Sequence, residues 1–263
     1  MSERTPYAKK SLGQHWLHDA ASLDAMCDAA EVTDDDVVLE IGPGTGTLTE
    51  RLLARGAKVI AVELDEARAK ELAAKFEQDD FELHQQSIMT FDLTELPPDY
   101  KIVANIPYYL TSNLIRVLSE STNRPSTAVL LVQKEVAERV AAKPGDMSLL
   151  SVTAQFYWEV NKAQLVPARL FTPPPKVDSQ ILLLQRRQHA PFDVDPKSFF
   201  RLVKAGYSAR RKTLLNSLSG GLHLGKPETS ALLEASRINP SERPQALSLD
   251  AWHRLYSALN ANT

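Results

Sequence analysis

The tetrapeptide Asn105-Ile106-Pro107-Tyr108 groups polar acceptors and an aromatic ring that could hold a planar ring bearing an amino group. It follows an apolar run, 102–104, that predicts a β-strand, and open α/β sheets bind ligands at the carboxyl ends of their strands. The Asn105 side-chain oxygen and the Ile106 carbonyl could accept both hydrogens of such an amino group, because Pro107 restricts the residue before it to an extended conformation. Tyr108 could stack on an unpaired base. The pattern is typical of methyl transfer to adenine N6. In this reaction two acceptors localise the nitrogen lone pair, and positioning of the base against the methyl donor is the main contribution to catalysis.

A second motif, the glycine-rich segment from Glu40 to Gly46, predicts a nucleoside cofactor site. It follows an apolar run and precedes a helical pattern, and its glycines allow a ligand to approach the backbone closely. Glu63 ends the next predicted strand, where a carboxylate can accept both hydroxyls of a ribose. The G-x-G-x-G spacing favours S-adenosylmethionine over a nicotinamide dinucleotide, whose fingerprint is G-x-G-x-x-G. An NAD-dependent oxidoreductase is the disfavoured alternative, since the sequence also lacks a paired acid and base.

Predicted strands and helices alternate along the first half of the chain, and they must position the residues of both motifs. Alternation of strand and helix patterns indicates βαβ units and a mostly parallel sheet. Two further strands, over 151–160 and 177–185, are expected to close the sheet as an antiparallel pair, and helical spacing alone follows from residue 199. We therefore predict an α/β, Rossmann-like methyltransferase domain over 1–187 and a small helical domain over 188–263. The other predicted strands cover 37–41, 58–62, 81–84, 102–104 and 128–132, and the predicted helices cover 47–54, 65–76, 112–118, 134–141, 199–205, 212–218, 228–234 and 251–259.

Composition excludes several classes of protein. The chain has 263 residues, 43% of them hydrophobic and 24% charged, with a net charge of -3, as in an ordinary globular protein. No apolar run reaches membrane-spanning length, and the polar first ten residues do not predict a secretory signal. The single cysteine, Cys27, excludes an internal disulfide, so we expect a cytoplasmic protein. The histidines lack metal-ligand spacing, and no metal is expected.

Seven motifs in one order make the chain resemble a known family. It resembles the KsgA-type small-subunit ribosomal RNA adenine dimethyltransferases and, more distantly, the Erm methyltransferases of the large subunit. The resemblance runs from Lys9 to about Leu249. The motifs that carry it are Gly13-Gln14-His15-Trp16-Leu17, Glu40 to Gly46, Glu63-Leu64-Asp65, Asn105 to Tyr108, Gln133-Lys134-Glu135-Val136, Phe171 to Ser179, and Arg210-Arg211-Lys212-Thr213-Leu214 with Asn216-Ser217-Leu218.

The resemblance implies S-adenosylmethionine as cofactor and a residue set that binds it. His15 and Leu17 would line the cofactor site. Gly42 and Gly44 would cradle the methionine part of the cofactor, and Glu63 would bind the ribose. Ser87 would lie beside the cofactor's adenine, and Asn105 would contact both the cofactor and the target base.

For the substrate, the resemblance implies two adjacent adenines in a hairpin loop of small-subunit (16S) rRNA, methylated during ribosome biogenesis. Asn105, Ile106, Pro107 and Tyr108 would hold the target base, and Phe171 would stack on its other side. Arg210, Arg211 and Lys212 would contact rRNA phosphates. A monomer without membrane contacts is expected.

Two departures from the family pattern concern the cofactor. The family usually has Asn at the position of His15 and Asp at the position of Ser87. A hydroxyl accepts a hydrogen bond without the charge that strengthens it, so Ser87 predicts weaker cofactor binding by roughly 1–2 kcal/mol.

Two alternatives within RNA biology remain open at the level of sequence. One is an Erm-like enzyme that methylates large-subunit rRNA. The other is a non-catalytic ribosome assembly factor in which Ser87 reflects lost catalysis, although the intact segment from Asn105 to Tyr108 argues against it.

Overall fold

The computed structural model describes residues 15–77, 79–209 and 211–261. Strands and helices alternate up to residue 140, and helices predominate after residue 187. The strands are β1 (Trp16–Leu17), β2 (Val37–Ile41), β3 (Lys58–Glu63), β4 (Phe81–Gln85), β5 (Lys101–Asn105), β6 (Thr127–Gln133), β7 (Trp158–Val166), β8 (Phe171–Thr172) and β9 (Ser179–Arg186). The helices are α1 (Ala20–Ala29), α2 (Thr47–Leu53), α3 (Glu66–Lys75), α4 (Thr111–Glu120), α5 (Lys134–Val140), α6 (Leu149–Tyr157), α7 (Pro196–Gly206), α8 (Leu214–Leu222), α9 (Lys226–Ala235) and α10 (Leu249–Ala261).

Seven of the strands form one sheet in the order β4-β3-β2-β5-β6-β9-β7. Strand β2 is parallel to β3 and β5, β4 is parallel to β3, and β6 is parallel to β5. Strand β9 pairs antiparallel with β6. The central strands are buried on both faces, as Val38, Leu39, Ile102 and Val103 show, which explains why their sequences are apolar runs without alternation. The predicted Rossmann-like α/β fold is confirmed.

This topology brings distant parts of the chain to one edge of the sheet. Because β2, β3, β4 and β5 are parallel, the residues that follow them emerge at the same edge,. The antiparallel β9 starts at that edge, where Ser179 lies opposite Gln133, the last residue of β6. Outside the large sheet, β1 pairs antiparallel with β8, with Leu17 opposite Phe171.

The chain divides into two compact units, each built from two segments of the sequence. The first unit contains the described residues up to 137 and residues 159–186, and the second contains residues 138–158 and the described residues from 187 onward. The first unit thus ends one residue before the predicted division at 187, and residues 138–158, which the prediction placed in the first domain, belong to the second unit.

The predicted strand over 151–160 is wrong for most of its length. Residues 149–157 form α6, and β7 begins only at Trp158. A capping box explains the difference, since the Ser148 side chain accepts a hydrogen bond from Ser151 N and the Ser151 hydroxyl accepts one from Ser148 N,. The β-branched residues in this segment favour a strand only weakly, and packing overrides that preference.

Aromatic packing builds the core of the second unit. The Phe156 ring of α6 stacks on Phe199 of α7 with centroids 5.1 Å apart, and Trp252 of α10 is fully buried. Gly206 is required at the end of α7, because a Cβ there would lie 2.3 Å from the Trp252 ring. Across the ranges that the structure describes, no helix combines the length and apolarity needed to cross a membrane.

Candidate cofactor and substrate site

A single cavity in the first unit collects the loops that follow β2, β3, β4 and β5, together with β1. Its lining includes one half near Glu63 and Ser87 and a second half near Asn105 and Tyr108. The glycine-rich segment and the segment from Asn105 to Tyr108, which were predicted to do different chemistry, therefore lie in one cavity.

The glycine-rich loop has a backbone conformation that residues other than glycine disfavour. Gly42, Gly44 and Gly46 have φ values of +67°, +60° and +79°, which residues with a Cβ rarely adopt. Gly44 also has no room for a side chain, because a Cβ would lie 3.0 Å from the Trp16 indole. The loop therefore exposes backbone to the cavity and packs closely against β1.

Two carboxyl groups line the cavity behind this loop. Glu63 is 5% exposed, and its oxygens accept hydrogen bonds from Gly44 N at 3.3 Å and Asp65 N at 2.8 Å. Burial raises the pKa of Glu63, and the two backbone donors oppose that shift. Glu40 is 1% exposed, and burial raises its pKa to about 8, assisted by the charge of Glu63 and opposed by a hydrogen bond from Thr49 Oγ1 at 2.6 Å.

The Asn105 amide is held in one orientation. Its Nδ2 donates a hydrogen bond to the His15 carbonyl at 3.0 Å. Because a carbonyl only accepts, the amide nitrogen must face His15, and Oδ1 points the other way, where it has no hydrogen-bond partner among the described residues. Asn105 thus presents a free acceptor at the end of β5.

Tyr108 is fixed at its hydroxyl. Its Oη lies 2.7 Å from Ser179 Oγ, the first side chain of β9. Burial raises the pKa of Tyr108, so the phenol stays neutral and the ring is an uncharged stacking surface near neutral pH.

All seven residues predicted to bind the cofactor, and four predicted to hold the target base, line this cavity. Its lining contains His15, Leu17, Gly42, Gly44, Glu63, Ser87, Asn105, Ile106, Pro107 and Tyr108. The Ser87 hydroxyl accepts a hydrogen bond from Met89 N at 3.2 Å. Ile106 is 2% exposed and lies directly before Pro107, as its predicted role requires.

Phe171 is the exception among the predicted site residues. Its ring is 3% exposed and belongs to the hydrophobic core that also contains Leu17 and Val166. It does not line the cavity, and its predicted stacking on a base stays a prediction.

The predicted RNA contacts lie in the second unit. Arg210 is outside the described residues. Arg211 and Lys212 are exposed in the connection between α7 and α8, and neither forms an ion pair with another residue that the structure describes. Both are therefore available to an anionic partner.

Several residues of the site were not predicted as such. Trp16 and Tyr109 line the cavity, the former 5% and the latter 61% exposed. Glu40 opens the glycine motif, so its position carried a signal, whereas nothing in the sequence places Ser179 beside Tyr108, 71 residues away. In the parts of the chain that the structure describes, no group of three or more His, Cys, Asp or Glu side chains could hold a metal ion.

The sheet order and the position of the cavity are those of a Rossmann-like methyltransferase. Comparison with known proteins narrows this class, since the model of the ribosomal RNA adenine dimethylase family matches residues 6–261. The chain belongs to that family.

Relatives and solved structures agree with this assignment. The chain is 41% identical to ribosomal RNA small subunit methyltransferase A of Dehalococcoides mccartyi (strain CBDB1), covering 97% of this chain and 89% of the relative. It is also 41% identical to the protein of that name from Thermosynechococcus vestitus, covering 96% and 97%. A crystal structure of a dimethyladenosine transferase from Plasmodium falciparum has a TM-score of 0.79 at 29% identity, covering 94% and 98%. The 23S rRNA methyltransferase ErmE has a TM-score of 0.74 at 27% identity, covering 93% and 99%.

Proposed function

We propose that the protein transfers methyl groups from S-adenosylmethionine to N6 of two adjacent adenines in a hairpin loop of small-subunit (16S) rRNA. The observation that carries the proposal is the Asn105 amide, whose oxygen is free while its nitrogen is bound to the His15 carbonyl. That oxygen stands at the end of β5, in the cavity that the glycine-rich loop also lines. The small subunit is favoured over the large one because relatives named for the small subunit are 41% identical, against 27% for ErmE.

The residues of the cavity fit a cofactor of this kind. Two buried polar atoms of the lining, Trp16 Nε1 and Thr45 Oγ1, lack a hydrogen-bond partner within the described chain, as expected where a polar ligand completes the site. Glu63 would bind the ribose hydroxyls, Gly42 and Gly44 would hold the methionine part, and Ser87 would bind the cofactor's adenine. When bound, this cofactor supplies an electrophilic methyl group on a sulfonium centre.

The target base is held by groups of this chain. Asn105 Oδ1 and the Ile106 carbonyl accept the two N6 hydrogens, which draws the nitrogen lone pair out of the ring and toward the methyl donor. Tyr108 supplies the stacking surface, fixed at its hydroxyl by Ser179. Since Phe171 is buried in the core, stacking is assigned to Tyr108 alone. Positioning of this kind can contribute several powers of ten in rate.

The second unit, over 138–158 and the chain from 187 onward, is assigned to rRNA. Arg210, Arg211 and Lys212 neutralise phosphates, which gives affinity without sequence specificity. Specificity for a hairpin loop follows from the need to extrude an adenine, since bases in an A-form stem are inaccessible. The proposal includes a monomer that acts in the cytoplasm.

Methyl transfer to separated ribosomal subunits tests the proposal. Undermethylated small and large subunits are incubated with labelled S-adenosylmethionine in separate tubes and digested to nucleosides. Dimethyladenosine from the small subunit alone is expected, and the variant Asn105→Ala should abolish it. Label in the large subunit only would assign the protein to the Erm-like class. Absence of label from both, without cofactor binding, would leave a non-catalytic assembly factor.

A further inference from the structure

One residue of the cavity, His15, makes three contacts with two separate segments of the first unit. Its ring stacks on Tyr108 with centroids 5.8 Å apart and an interplanar angle of 21°. Its Nδ1 lies 2.7 Å from the Pro173 carbonyl in the loop after β8. Its own carbonyl accepts the hydrogen bond from Asn105 Nδ2. The residue before β1 therefore touches both groups proposed to hold the target adenine.

The contact with Pro173 determines the protonation of one ring nitrogen. A carbonyl oxygen only accepts hydrogen bonds, so His15 Nδ1 must carry the hydrogen. In the neutral ring, Nε2 is then the unprotonated nitrogen, and protonation of the ring leaves the Nδ1 contact in place. The Pro173 carbonyl thus holds one edge of the His15 ring, whether that ring is neutral or charged.

These contacts restrict Tyr108 from two directions. Ser179 holds the hydroxyl, and the His15 ring covers one face. We expect a base to stack on the face of Tyr108 away from His15, and the Asn105 amide that must meet the same base is oriented by the His15 carbonyl. Placement of one residue sets the relative position of the acceptor and the stacking ring.

We propose that His15 is a positioning residue for the target adenine, which orients the Tyr108 ring and the Asn105 amide from the loop held by Pro173. This inference deepens the proposed function and rests on it for the identity of the base. A residue that only lined the cofactor site would alter cofactor affinity. A positioning residue alters the methyl-transfer rate once the cofactor is saturating.

Three substitutions separate the contacts of the side chain. His15→Phe keeps an aromatic face over Tyr108 and loses the donor to Pro173, His15→Asn keeps a donor and loses the ring, and His15→Ala loses both. At saturating S-adenosylmethionine we expect His15→Ala to lower the single-turnover rate by about tenfold, as loss of one ring contact and one hydrogen bond allows. Each of the other two should lose less, and for all three the loss of rate at saturating cofactor should exceed any weakening of the cofactor Kd. His18→Ala is the matched control, because His18 is exposed and lies outside the cavity.

Coupling with Tyr108 distinguishes positioning from a general structural effect. In a Tyr108→Leu background, His15→Ala should cause little further loss of rate, since the ring it would orient is absent. Additive losses, or a weakened cofactor Kd with an unchanged rate at saturation, would overturn the inference.

Nitrogen NMR of the histidine rings gives a readout that needs no activity. We expect His15 to show a protonated Nδ1 in the neutral ring, whereas exposed His18 should show the solvent mixture of tautomers. An unprotonated Nδ1 at His15 would refute the positioning inference even in an active enzyme. A wild-type protein with the expected His15 tautomer but without methyl transfer would instead refute the proposed function.

Discussion

The buried carboxyl group of Glu40 predicts an unusual dependence of stability on pH. Glu40 is 1% exposed, and burial raises its pKa from 4.5 to about 8. Between these values the folded protein retains a proton that the unfolded chain has released. The free energy of unfolding therefore falls as pH rises from about 4.5 to about 8.

The magnitude follows from the width of this window. The difference between 4.5 and about 8 corresponds to about 5 kcal/mol at most, since one pKa unit is about 1.4 kcal/mol. Glu63 contributes with the same sign, because burial also raises its pKa. Glu40→Gln replaces the carboxyl with a neutral amide of the same size, which can still accept the hydrogen bond from Thr49.

Urea unfolding at a series of pH values between 5 and 8.5, followed by circular dichroism, measures the effect. We expect the stability of Glu40→Gln relative to wild type to improve steadily as pH rises through this range. Glu77→Gln, at an exposed position, is the matched control and should track the wild type. Parallel curves for Glu40→Gln and wild type would show that Glu40 is ionised in the folded protein, which would refute the reasoning.

Three further predictions concern the glycine loop, the cofactor's adenine and the RNA. Gly44→Ala should weaken S-adenosylmethionine binding more than Gly42→Ala in calorimetry, because both have positive φ but only the Gly44 Cβ meets an indole at 3.0 Å,; equal effects would exclude steric conflict as the cause. Ser87→Asp should tighten the cofactor by roughly 1–2 kcal/mol, and no gain would mean that the adenine amino group has another partner. Arg211→Ala with Lys212→Ala should weaken rRNA binding and reduce its salt dependence by about 0.7–0.9 per charge in the log-log slope without changing cofactor affinity; an unchanged slope would place the phosphate contacts elsewhere.

The sheet was predictable because each of its central strands is an apolar run that ends at a recognisable turn. The glycine-rich loop after β2 and the acidic end of β3 were predictable for a related reason. Glycine marks a backbone with positive φ, and a glutamate at a strand end marks a charged group at the edge of the sheet. The bounds of strand β4 and helix α3 lie within a residue or two of the predicted ones. At the start of α3, the Asp65 side chain caps the helix by accepting a hydrogen bond from Ala67 N.

The failures share a physical cause, which is dependence on contacts between distant segments. Helix α6 forms from a sequence with strand-like residues because Ser148 and Ser151 cap it and its partners bury it. Phe171 lies in the hydrophobic core opposite Leu17 of β1, and no local pattern indicates that pairing. The contact between Tyr108 and Ser179 depends in the same way on where β9 joins the sheet.

Mass spectrometry of rRNA fragments, after incubation of undermethylated small subunits with the protein and S-adenosylmethionine, tests the proposed methyl transfer most directly. We expect two adjacent adenines in one hairpin loop to carry two methyl groups each at N6, and we expect the Asn105→Ala variant to modify neither. Methylation at another atom of adenine, on another base, or undiminished in the Asn105→Ala variant would contradict it.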